Sequence, residues 1–132
     1  MRSLDTKVLV RYLANDDPAQ SPRAEMLIEE CLRKREPLFL TGIVLCELVW
    51  VLRQVYKLGR PAIAGSLEEI LQKDLFRIEQ DTLVRRSLEA YRRGRGDFAD
   101  YLIAEVSRSA GCRDTVTFDQ ALRSDVGFTF LG

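Results

Sequence analysis

Two aspartates in this chain stand directly after short runs with strand character, Asp5 after "MRSL" and Asp119 after "TVTF". Two more, Asp97 and Asp100 in "GDFAD", lie three residues apart at the head of the helical pattern "YLIAEVSRSAG", a spacing that puts both carboxylates on one helix face. A fifth acid, Glu47, interrupts the apolar run "IVLCELVWVL", with Ile43, Val44, Trp50 and Val51 as its neighbours one turn away. That company predicts a carboxylate withdrawn from water, and such a group takes up a proton or needs a positive partner. Acids gathered in one cleft repel each other and raise each other's pKa unless a divalent cation balances their charge. The sequence has no histidine, and Cys31, Cys46 and Cys112 match no zinc-ligand spacing. Oxygen donors alone point to Mg²⁺ or Mn²⁺.

Taken singly, most of these acids have a plainer explanation. Aspartate is a preferred helix N-cap, and Asp5, Asp97 and Asp119 each precede a plausible helix start. Gln54, two turns beyond Glu47, allows a narrow polar stripe through both residues. Asp100 is harder to explain by capping, because it lies a turn further in, beside Tyr101, Leu102 and Ile103. Combined, the acids gain weight, since three mark strand-to-helix junctions and Glu47 falls just over a turn inside the helix after the second strand.

Composition narrows the chemistry further. Without histidine, Ser-His-Asp and Cys-His catalysis and most catalytic zinc sites are excluded. With 46% hydrophobic and 30% charged residues, the chain reads as an ordinary soluble globule, a single domain over residues 1–132. The longest apolar run is broken by Glu47 and too short to span a bilayer, and "MRSLDT" has no signal-peptide core, so a cytoplasmic protein without membrane attachment is expected. Twenty basic residues against 20 acidic ones create no global field for nucleic acid, so any such binding needs local patches.

The elements that must position the acids are short strand-like runs alternating with longer helical patterns. "MRSL", "PLFLT", "LFRI", "DTVTF" and "FTFL" read as strands. Between them, "TKVLVRYLAND", "PAQSPRAEMLIEECLRKRE", the stretch from Gly42 to about Tyr56, "RPAIAGSLEEILQKD", "DTLVRRSLEAYRRGR" and "DFADYLIAEVSRSAG" read as helices, the last two separated at Gly94 and Gly96. This alternation predicts an α/β domain whose short central sheet of four to five strands is mostly parallel and flanked by helices. Sites in such sheets form outside the carboxyl ends of the strands, where the acids fall.

The ordered set "LDTKVLVRYL", "CELVWVL", "GDFADYLIA" and "VTFD" resembles a PIN domain of the VapC type, the toxin ribonuclease of bacterial toxin–antitoxin pairs, along the whole chain. The resemblance implies a three-layer PIN-like fold and a metal site of Asp5, Glu47, Asp100 and Asp119, with Asp97 an additional acid of the "DFAD" form. It further implies a Mg²⁺- or Mn²⁺-dependent endoribonuclease acting on single-stranded or looped RNA, with tRNA and rRNA as candidate substrates. In-line attack by water would leave a 5′-phosphate. A small VapB-type antitoxin and a homodimer belong to the same expectation, and apolar runs such as "AEMLIEECL" are compatible with the dimer.

Lys7 stands where the family usually carries asparagine, in "LDTK" rather than "LDTN". An ammonium turned into the acids would compete with the cation, whereas one turned outward could meet an RNA phosphate. Arg92, Arg93 and Arg95 end an arginine-rich stretch immediately before Asp97, and they are RNA-binding candidates against the plainer reading of a solvated helix face. Two alternatives remain, a receiver-type Mg²⁺-binding signalling domain and a PIN-fold protein that binds RNA without cutting it because of Lys7. Receivers need paired acids after the first strand and an aspartate ending a central strand, and "MRSLDT" and "PLFLTG" do not supply them.

Overall fold

The computed structural model describes residues 1–132. In chain order the elements are β1 (Arg2–Ser3), α1 (Thr6–Ala14), α2 (Ser21–Lys34), β2 (Leu38–Leu40), α3 (Gly42–Gln54), α4 (Arg60–Gln72), β3 (Phe76–Ile78), α5 (Asp81–Arg93), α6 (Phe98–Ser109), β4 (Thr115–Thr117) and β5 (Phe128–Phe130). Each strand and helix read from the sequence is present, with ends shifted by a few residues.

Local chemistry explains the boundaries. Asp5 and Thr41 cap α1 and α3 by accepting from the Val8 and Val44 amides, at 3.3 and 3.1 Å. Pro22 and Pro61 occupy the first turns of α2 and α4, where a missing N–H costs nothing. Helices α1 and α2 stop at Asn15 and Arg35, both left-handed with φ near +50°.

The strands are all parallel, as expected, but they pair in two sets: β1-β2-β3, and β4 with β5. Leu38 pairs with both Arg2 and Phe76, which fixes the register of the larger set. The difference from one continuous sheet has a local cause, because β4 and β5 are joined by residues 118–127 alone, with a single 3-10 turn at Gln120–Leu122. Leu122, fully buried, anchors that turn in the main core.

One continuous apolar cluster lies between the sheet and the helices. It contains Leu38 and Leu40 of β2, Leu45 and Leu48 of α3, Ile63 and Leu67 of α4, and Phe98 of α6. The loops at the carboxyl ends of the strands carry Asp5 after β1, Thr41 leading into α3 after β2, Glu79 after β3 and Asp119 after β4. Glu79 has a structural task there, since its Oε1 accepts from the Gly42 amide at 2.9 Å and helps to cap α3.

Candidate active site

Asp5 leaves β1 in extended conformation and caps α1, its carboxylate otherwise open to solvent. The next residue ties this corner to α3, because Thr6 Oγ1 donates to Glu47 Oε1 at 2.6 Å. Glu47 is exposed, contrary to the burial its apolar neighbours suggested. Helix α3 is apolar on two sides: Val44, Leu45, Leu48, Val49 and Leu52 enter the core, whereas Ile43 and Trp50 are 73% and 56% exposed and flank Glu47 on the outer side. The apolar surroundings of Glu47 therefore come from a bare outer face as well as from the core.

On the other wall, the Asp97 amide donates to Asp100 Oδ2 at 2.8 Å across the first turn of α6. The Asp97 carboxylate forms an ion pair with the Arg53 guanidinium from the end of α3. Asp100 is half-buried, and its carboxyl is held above the ordinary range by burial first and then by the negative field of Asp119, with Arg53 acting in the opposite direction. Burial, followed by the charges of Asp100 and Glu47, likewise pushes the Cys46 thiol up. Asp119 caps the 3-10 turn, its Oδ1 accepting from the Ala121 amide at 2.8 Å.

Contacts join two pairs of these acids, Asp5 to Glu47 through the neighbouring Thr6 and Asp97 to Asp100 through the turn, while Asp100 feels the charge of Asp119, and Cys46 that of both Asp100 and Glu47. In this conformation no three of them gather tightly enough to ligate one ion together. Three carboxylates are engaged by backbone amides and Asp97 by Arg53, so the local, capping role of these acids is realised in the structure. The donor set still fits a hard divalent cation in its chemistry, since every member offers carboxylate oxygen.

Lys7 is exposed and pairs with none of the acids; it lines a groove of about 380 Å³ with Asp5, Val8, Arg11, Arg23 and Leu27 between α1 and α2. Arg92 is occupied by Glu68 at 2.6 Å and Glu89 at 3.6 Å, whereas Arg93 and Arg95 are exposed without an ion pair. Sequence reasoning missed Thr6 and Arg53. Thr6 had a faint signal in its place beside Asp5, but nothing in the spacing of Arg53 announces Asp97, which is distant in the chain.

Residues 3–125 match the family profile of the PIN domain. The chain is also 31% identical, over 97% of its length and 93% of the relative's, to a VapC ribonuclease of Aquifex aeolicus strain VF5. It belongs to the PIN-domain family, and within it to the VapC type. The receiver-type alternative is thereby set aside.

Proposed function

We propose that this protein is the toxin of a VapBC-type pair, a Mg²⁺- or Mn²⁺-dependent endoribonuclease that hydrolyses single-stranded or looped RNA and is neutralised by a small VapB-type antitoxin. The observation that supports this reading is the set of carboxylates at the starts of α1 and α6, within α3 and after β4, two pairs of them joined through Thr6 and the α6 turn, in a chain 31% identical to a VapC ribonuclease. Asp5, Glu47, Asp100 and Asp119 are the residues that would hold the ion. Asp97 is its weakest candidate, because Arg53 already balances its charge.

A bound divalent ion supplies Lewis-acid charge for the phosphate and makes water more acidic. The chain's own residues do the rest. Thr6 fixes the orientation of Glu47, and the Asp97 amide fixes that of Asp100. Water adds to phosphorus as the bond to the 3′ oxygen breaks, the proton lost by water passes to a carboxylate of the set, and the leaving 3′ oxygen takes a proton from solvent, giving a 5′-phosphate and a 3′-hydroxyl. Lys7 and Arg23, along the groove beside Asp5, and the exposed Arg93 and Arg95 are the residues that would meet RNA phosphates. Looped RNA suits such a surface, because its phosphates and unstacked bases are accessible.

The bare apolar face of Ile43 and Trp50 on α3, continued by Ile103 and Val106 on α6, supports a homodimer. No helix is long and apolar enough to cross a membrane. RNA substrates, tRNA or rRNA among them, would be met in the cytoplasm, the location this reading assigns. The alternative of a PIN-fold RNA binder disabled by Lys7 is weakened by the outward position of that lysine.

The test is incubation of the purified protein with total RNA and Mn²⁺, followed by sequencing of 5′-phosphate ends. Cleavage at discrete sites that EDTA and Asp100→Asn both abolish is expected. Cleavage that persists in Asp100→Asn, or binding without cleavage, would refute the reading.

A further inference from the structure

The turn between α5 and α6 is held from both sides by residues that no part of the reading above uses. Arg60, at the start of α4, donates from Nη1 to the Tyr91 carbonyl at 2.8 Å and from Nη2 to the Gly96 carbonyl at 2.7 Å. Its guanidinium also lies over the Tyr91 ring, 4.2 Å from the centroid. On the opposite side, the Gly96 amide donates to the Tyr101 hydroxyl at 3.0 Å, and that hydroxyl donates to Asp125 Oδ2 at 2.6 Å.

The two glycines of the turn are required by this packing. A Cβ at Gly94 would overlap the Tyr101 hydroxyl, and one at Gly96 would overlap Leu122 and approach Asp100 Oδ2 to 3.2 Å. Gly96 is buried and Tyr101 is only 4% exposed, so their hydrogen bond is shielded from water.

The position of this clamp gives it meaning. Gly96 directly precedes Asp97, whose amide holds Asp100; Tyr101 directly follows Asp100; Asp125 and Leu122 belong to the segment that begins with Asp119. The Tyr101 hydroxyl therefore joins the chain segment that carries Asp100 to the one that carries Asp119. The ring edge of Tyr101 also packs on Phe128 of β5, with centroids 6.2 Å apart. Asp100 lies on α6 and Asp119 follows β4, which pairs with β5 outside the main sheet, so that sheet's hydrogen bonds do not set the separation of the two acids.

We infer that Arg60 and Tyr101 are positioning residues for the metal site, gripping Gly96 between them so that the backbone carrying Asp100 stays tied to the segment carrying Asp119. This inference rests on the metal-dependent reading proposed above. Groups that orient ligands without touching the ion commonly govern its affinity by an order of magnitude or more.

The experiment is calorimetric titration of the full chain with Mn²⁺, together with thermal melts and cleavage rates at limiting and saturating Mn²⁺, for wild type, Tyr101→Phe, Arg60→Lys and the double variant. Each single variant should weaken Mn²⁺ binding by about tenfold, with cleavage lost at limiting metal and recovered at saturation. The double variant should fall short of the product of the two effects, because both act through the same peptide. A merely structural role lowers the melting temperature and leaves the affinity of the folded protein unchanged. Folded variants with wild-type affinity would overturn the inference while leaving the metal reading intact. A wild-type protein that binds no Mn²⁺ would remove both. If Tyr101→Phe fails to fold, Arg60→Lys and Asp125→Asn, which weaken the grip from either end, decide the matter by the same readouts.

Discussion

Asp5, Asp100 and Asp119 each accept a hydrogen bond from a backbone amide, so removing any of them perturbs the fold as well as the site. Two substitutions at each position separate the effects. Asparagine keeps an acceptor oxygen and caps about as well as aspartate, whereas alanine loses the cap at a cost of about 1 kcal/mol. In a domain of this size, that cost lowers the melting temperature by roughly 3–5 °C. The asparagine variants also lose a charge: Asp100→Asn relieves the repulsion from Asp119, and Asp5→Asn gives up a favourable helix-dipole contact of about 0.3–1 kcal/mol.

In EDTA, Asp100→Asn should therefore melt at or above the wild-type temperature, Asp5→Asn and Asp119→Asn within about 3 °C of it, and the alanine series lower. Both series should lose Mn²⁺ binding and RNA cleavage alike. Glu47→Gln belongs with the asparagine set, because its amide oxygen can still accept from Thr6. The measurements are differential scanning calorimetry in EDTA and gel-based cleavage in Mn²⁺. If the asparagine variants bind metal and cut RNA while only the alanine variants fail, the acids act as caps and the metal assignment is wrong.

Three further outcomes are expected. Arg53→Gln should bind Mn²⁺ more tightly, by several-fold or more, because the guanidinium pairs with Asp97 and acts on Asp100, and so opposes a cation held by those acids; calorimetry showing equal or weaker binding would refute this. Lys7→Asn should leave Mn²⁺ affinity unchanged and reduce the salt slope of single-stranded RNA binding by about 0.7, as loss of one phosphate contact requires; an unchanged slope would place Lys7 outside the RNA path. Without metal, Asp100 makes its stabilising contribution in the protonated form, fully present below its unfolded value near 3.8 and lost as pH rises through its raised folded value. Melting curves should therefore show wild type losing ground to Asp100→Asn over that rise, and a constant difference would contradict the burial of Asp100. Asp17 and Glu30, whose pKa values are lowered, act in the opposite sense in both proteins and cancel in the comparison.

The layered fold was legible in the sequence because each element carries its own signals. Caps at Asp5 and Thr41, prolines at Pro22 and Pro61, and apolar periodicity within each helix are local, and local rules recover them. The separation of β4 and β5 from the other strands was not legible, because pairing between short strands depends on where Leu122 seats its turn in the core. Glu47 shows a different failure. Helical periodicity identifies the side of α3 that enters the core but does not distinguish an outer apolar face from a buried one, so Ile43 and Trp50 read as core neighbours when they are exposed. Arg92 and Arg53 fail for a third reason: the one joins Glu68 of α4 and the other Asp97 of α6, and such partners are fixed only when helices pack.

These long-range pairings also bear on how the site tolerates its own charge. Asp100 and Asp119 repel one another where solvent is partly excluded, and a fold that only concentrated acids would pay for it in stability. Here the repulsion is met by several modest attractions: amide donors hold Asp5, Asp100 and Asp119, Thr6 holds Glu47, and Arg53 neutralises Asp97 at the rim. Each amide contact uses one carboxylate oxygen, so lone pairs remain to face a cation. Arg53 differs from the others because its positive charge repels the ion that the acids attract. On the proposed metal-dependent reading, side-chain movement must bring the acids together around the ion, while the backbone is held beforehand by the grip of Arg60 and Tyr101 on Gly96.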